Sequence, residues 1–143
     1  MRQLKWTATA ALVALALMAA LPLSGFADGD GDGRNQREVR LEATLSPAHA
    51  DPRASGQVEF EKRTGRKELR VDVQDIISTD VVDVFADSRF VGRIELRGGS
   101  GRLELNGQNG DHVPNVRAGE RVRVLDARHN TTVILVGTLV SHN

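Results

Sequence analysis

Downstream of Val39, apolar and polar residues alternate one by one, and this period of two constrains the fold more than any other feature of the chain. In QVEFEKR, Val58 and Phe60 share one face and Glu59 and Glu61 the other. KELRVDVQ sets Leu69, Val71 and Val73 against Glu68, Arg70 and Asp72. RIELRG, GRLELNG and ERVRVLD repeat the pattern with Ile94 and Leu96, Leu103 and Leu105, and Val122 and Val124. Side chains of an extended strand point to opposite faces in turn, so each stretch reads as a strand with one wet face. No stretch after residue 27 carries a sustained helical period.

Turn residues separate these stretches. A hairpin at Thr64-Gly65 places Phe60 opposite Leu69 and Val58 opposite Val71, with Glu59 facing Arg70. Gly98 to Gly101, GGSG, predicts a second hairpin pairing Leu96 with Leu103 and Ile94 with Leu105. That register also sets Glu95 against Glu104. Asp87-Ser88 and His129-Asn130 are further turn positions. DVVDVFA and TTVILVGTLV are apolar on both faces and read as central or covered strands. The alternative for Thr131–Val140 is an edge that pairs with a second chain, a route to self-association. Short strands broken by turns every few residues predict an all-β, antiparallel Greek-key β-sandwich of about 7–8 strands. With no cysteine in the chain, that fold has no disulfides and depends on its apolar core.

The first 27 residues differ from the rest. Arg2 and Lys5 precede the apolar run ATAALVALALMAALPL, and SGFA follows with small residues at Gly25 and Ala27. This is the pattern of a secretory signal peptide over residues 1–27. The run is shorter than the roughly 18 residues that suggest a spanning helix, and Pro22 interrupts it. No later segment is long and apolar enough to span a bilayer, so no membrane span is expected once the signal is removed. The expected organisation is a signal peptide, an Asp/Gly-rich disordered leader over residues 28–38, and one domain over residues 39–143. The expected location is the periplasm or the extracellular space.

Without residues 1–27 the basic total falls from 19 to 17 against 19 acidic residues, a net charge of −2. No dense Lys/Arg cluster marks a nucleic-acid surface. After Ala27 the only aromatic residues are Phe60, Phe85 and Phe90. Modules that stack sugars or single-stranded bases need exposed aromatic platforms, which three phenylalanines barely provide.

Several segments together resemble secreted bacterial sandwich modules of the chordin type (CHRD-like domains). They are ATLSPAHADPRASGQVEFE, VVDVFADSRFVGRIEL, GRLELNGQNGDHVPNVRAGERVRVLD and the closing VILVGTL. The resemblance covers Arg40 to Leu139. It implies a Greek-key sandwich and brings no catalytic residue and no cofactor.

Candidate chemistry is sparse. Asp28, Asp30, Asp32 and Gly33 match the first half of a calcium loop, D-x-D-x-D-G. Such a loop needs a bidentate Glu at its twelfth position. Counting from Asp28, that position is Val39, and Glu38 falls one short. A solvated leader is the better reading, with calcium at Asp28, Asp30 and Asp32 as the alternative. His49, His112, His129 and His142 form no paired-ligand spacing, and a transition-metal site would require the fold to gather them. Ser100 in GGSGR does not complete the G-x-S-x-G nucleophile pattern. Asp83, between Val82 and Val84 in an apolar strand, is the carboxylate to examine for burial. NTT at Asn130 is a glycosylation acceptor pattern. GDHVPNVRAGE is the longest loop between strands, either a binding loop or a crossover. The expected role is a non-catalytic structural or binding module whose partner is a protein or envelope component. The alternative is a metal-binding protein.

Overall fold

A computed structural model describes residues 38–142. Nine strands follow in order: β1 (Val39–Pro47), β2 (Ser55–Arg63), β3 (Arg66–Gln74), β4 (Val81–Ala86), β5 (Arg89–Glu95), β6 (Gly101–Asn106), β7 (Arg121–Asp126), β8 (Val133–Thr138) and the short β9 (Val140–Ser141). One 3₁₀ turn, Gly107–Asn109, follows β6. All pairings between strands are antiparallel. Hydrogen-bonded neighbours run β5-β4-β7-β8-β1-β2-β3-β6, with β9 on β1, and the two ends of this path come back together. The result is an antiparallel sheet nearly closed as a barrel.

Alternation sets the inside of the barrel. Val58, Phe60, Leu69 and Val71 are buried, as their spacing predicts, and so are Ile94, Val122 and Val124. Leu41 and Leu45 from β1 join them with Val82 and Val84 from β4 and Ile134 and Leu135 from β8 in a single core. The outward residues of β1, β2, β3 and β6 form charged rows. One row runs Glu42, Glu59, Arg70, Glu104 across the four strands. Glu42 and Glu59 oppose each other directly, which is unfavourable for like charges. Arg40 lies 2.9 Å from Glu42 and offsets part of that repulsion.

The β2–β3 hairpin has the predicted register, with Phe60 opposite Leu69 and Glu59 opposite Arg70. Gly65 takes a φ of 71° at its turn, where an L side chain would be strained. The β4–β5 turn at Asp87-Ser88 also stands where expected, with Ala86 paired to Arg89. The His129-Asn130 turn is a longer loop, from β7 ending at Asp126 to β8 starting at Val133.

The GGSG hairpin is corrected. Arg97 and Ser100 form a single bridge, and no ladder continues from it. Instead β6 pairs with β3, Leu103 facing Val71 and Leu105 facing Leu69. The outward charges explain this choice. The local hairpin sets Glu95 against Glu104, whereas β3 offers Arg70 to Glu104 and Asp72 to Arg102. The Arg102 Nε to Asp72 Oδ1 distance is 2.5 Å. Strands β5 and β6 therefore meet along a seam filled by side chains, where Leu103 lies over Gly92 within 3 Å of where a Cβ would be.

The apolar segment Thr131–Val140 stands as the central strand its two apolar faces predict, not at the end of the sheet path. β8 lies between β7 and β1, paired along its length with β7 and at Leu135 and Val136 with β1. β8 and β9 hold one register along β1: Ser46 faces Val136, and Glu42 faces Val140. Between them Gly137 crosses β1 so closely that a Cβ would sit 2.5 Å from the Thr44 carbonyl oxygen. The ends of the path are β5 and β6 instead.

Candidate binding groove

The residues singled out in the sequence scatter. Asp28, Asp30 and Asp32 lie outside the described residues, as does the leader up to Arg37. Glu38, the last residue assigned to that leader, pairs with Arg63 at 2.7 Å. The four histidines are exposed. Among the described residues no group of three or more His, Asp or Glu side chains could hold a metal ion, so the gathered-histidine expectation is not met there. His129 Nδ1 lies 3.1 Å from Asp126, and His142 Nε2 lies 3.4 Å from Glu42. Ser100 serves the Arg97 bridge.

Asp83 is buried, as its apolar flanks suggest, with 4% of its surface exposed. Arg93, opposite it on β5, donates to both carboxylate oxygens at 2.7 and 3.0 Å. A buried carboxylate held by a bidentate guanidinium is a structural ion pair with its acceptors occupied.

At one end of the barrel are two more buried acids, Asp51 in the β1–β2 loop and Asp126 at the end of β7. Asp51 Oδ2 accepts from the Ser78 backbone N–H at 3.2 Å and the Ser78 hydroxyl at 2.5 Å. Asp126 Oδ1 accepts from the Thr79 hydroxyl at 3.0 Å and the Arg128 backbone N–H at 2.9 Å. The Arg128 N–H, with help from His129 and Thr79, holds the Asp126 carboxyl below the usual carboxylate range, against the opposing effect of burial. Sequence inspection passed over both acids because their partners lie 27 and 47 residues away. These contacts fasten the loops to each other, and Asp51 Oδ1 is left buried with no hydrogen-bond partner among the described residues.

The opposite end is built differently. The loop after β6 crosses it to reach β7, and buried Val113 and Val116 fix it to the core. Pro114 has no N–H to satisfy, which suits an irregular segment. Lys67 Nζ donates to the Val113 carbonyl at 3.1 Å, Arg89 Nη1 to the Asn115 carbonyl at 2.6 Å, and the Gly119 N–H to the Leu139 carbonyl at 2.7 Å. Gly119 takes a φ of 90° where the loop turns into β7.

Between this loop and the ends of β1 and β2 lies a groove of about 500 Å³. Val39, Leu41, Phe60 and Val116 supply its apolar lining, with Ala118 at its side. Lys62 and Arg117 also line it with the neutral polar Asn115 and Ser141, and no carboxylate does. Neither the Lys62 ammonium nor the Arg117 guanidinium has a hydrogen-bond or ion-pair partner among the described residues. A hollow on the charged outer wall makes the contrast. It measures about 120 Å³, and Glu59, Glu61, Glu68 and Glu104 line it with Arg40 and Arg70. The groove is thus an apolar recess bordered by uncompensated positive charge. The sequence marked its loop but gave no sign of its floor, which forms only when β1, β2 and the loop meet.

The fold defines the class: a small antiparallel β-barrel domain in which a crossing loop frames one of several surface hollows. No protein-family model matches the chain, and no curated protein matches it. No helix among the described residues is long and apolar enough to cross a membrane.

Proposed function

We propose that the chain is an exported, non-catalytic binding module of the bacterial envelope or extracellular space, working through the groove beside the 110–119 loop. The observation that carries this reading is the pairing of a largely apolar recess with two cations that have no partner among the described residues. Most other charged side chains near the surface are engaged in ion pairs, as in the rows on β1, β2, β3 and β6. Ligand sites typically combine an apolar lining with a few polar groups in a concave volume of about 300–1,000 Å³. The signal-like segment over residues 1–27 supports export, and the location of the partner follows from it.

The same reading takes the near-closed barrel as a Greek-key sandwich of the kind the chordin-type likeness implies. In its support, sequential hairpins are mixed with long-range neighbours, β3 pairing with β6 and β8 returning late in the chain to lie beside β1. The strand β1 also changes partner along its length, from β9 to β8.

Co-sedimentation of the processed chain with separated membrane, peptidoglycan and soluble envelope fractions tests the reading. Retention in one fraction, abolished by filling the groove with Ala118→Trp, is the expected result. Retention in none, or retention that ignores Ala118→Trp, overturns it.

A further inference from the structure

We infer that the groove takes an anionic amphiphile, a molecule with an alkyl chain and a carboxylate or phosphate head. This deepens the reading above and rests on it, since it names the ligand of the same recess.

The lining decides the class. An alkyl chain gains by leaving water for the surface of Val39, Leu41, Phe60 and Val116, and the polar Asn115 and Ser141 at the same groove offset part of that gain. Its head then meets Lys62 and Arg117. A cationic or zwitterionic head gains little, because no carboxylate lines the groove to receive an ammonium. A fully polar anion lacks the burial that an apolar floor rewards. The Arg117 guanidinium offers paired donors to the two oxygens of a carboxylate or phosphate, and the Lys62 ammonium adds a point charge.

The site is also open to solvent at one side. Val39 is 37% exposed at the start of β1, so the apolar lining reaches solvent at the mouth of the groove. The 110–119 loop forms one wall and is fixed at Val113, Asn115 and Gly119. The recess therefore exists before any ligand arrives, which lowers the ordering cost of binding. Because the cations are exposed, their attraction is screened by salt, and the affinity of the site falls as ionic strength rises.

Two sources supply this chemistry: a free fatty acid, and an anionic phospholipid in a bilayer. The test has an arm for each. In the first, decanoate below its micelle concentration is titrated into ¹⁵N-labelled chain as its host produces it, and amide shifts are followed by NMR. Saturable shifts confined to Val39, Lys62, Val116, Arg117 and Ala118 are expected. Lys62→Gln with Arg117→Gln should weaken binding about tenfold, the combined effect of two exposed ion pairs. Both positions are on the surface, and the amide spectrum itself reports whether the double variant is folded. Decyltrimethylammonium, with a similar tail and the opposite charge, should leave these amides unmoved.

In the second arm, phosphatidylglycerol and phosphatidylcholine vesicles are sedimented with the chain. Retention on the anionic vesicles alone, lost in the double variant, assigns the site to a bilayer lipid even when decanoate fails. The inference is overturned if neither probe binds, if decyltrimethylammonium binds as well as decanoate, or if the double variant binds like the wild type. If both probes fail while Ala118→Trp still abolishes retention on an envelope fraction, the groove is a binding site for another class of ligand. If that retention is absent too, the binding reading falls with it.

Discussion

Asp83 has four-valent acceptor capacity in a strand that is otherwise apolar, and Arg93 is what makes its position tolerable. Removing one member of such a pair costs more than removing both, because it strands a charge. Arg93→Ala should therefore lower the thermal midpoint, and Asp83→Val in the same background should recover most of the loss. Calorimetry of the two variants checks this. Asp126 gives a pH-dependent effect. Its carboxyl titrates lower in the folded chain than in the unfolded one. The stability it contributes is complete above the unfolded value near pH 4 and is lost as pH falls through the lower folded value. Urea unfolding from pH 6 down to pH 2 should show that decline, and Asp126→Asn should flatten it. At this scale the sequence was half legible. Asp83 revealed itself by its valine neighbours. Asp51 and Asp126 did not, because a carboxylate followed by a loop looks the same whether or not Ser78 or Thr79 comes to meet it.

Among the elements, the contrast between two turns shows what a sequence can specify. Thr64-Gly65 joins strands whose apolar and charged faces match, and the observed register is the predicted one. Gly98 to Gly101 is an equally good turn, yet the strands beyond it separate. Turn chemistry reports local reversal, while the choice of partner for β6 was settled by Arg70 and Asp72 on a strand about thirty residues earlier. The same limit hid the neighbours of β8. Its apolar faces were plain, and its place between β7 and β1 was not. Gly137 is the residue that permits that place. Because a Cβ there meets the Thr44 carbonyl at 2.5 Å and Leu45 Cδ2 at 2.9 Å, Gly137→Ala should cost about 1–3 kcal/mol as an overpacked contact. Chemical denaturation provides the measurement. Backbone amides of β1 and β8 should lose hydrogen-exchange protection before those of β2 and β3.

For the whole molecule, alternation gave the strands and most of the core, since one period fixes which side of every strand is dry. It could not give closure, which depends on how many strands meet and where their ends lie. The groove belongs to that scale, because Val39, Phe60 and Val116 come from three separate parts of the chain. The proposal of export makes its own prediction here. The only tryptophan is Trp6 and there is no tyrosine. A chain processed after Ala27 should begin at Asp28 by N-terminal sequencing and show no tryptophan fluorescence. An intact Met1 or an indole emission in the envelope fraction would refute it.

The shared register of β8 and β9 along β1 has a consequence for how the molecule is made. The first strand to emerge finds one flank covered at once by β2, but the other waits for residues 133–141, roughly ninety positions later. Until they arrive that flank of β1 has no partner, and pairing between strands so far apart in sequence is slow to form. Completion of the native state is thereby deferred until nearly all of the polypeptide has been synthesised.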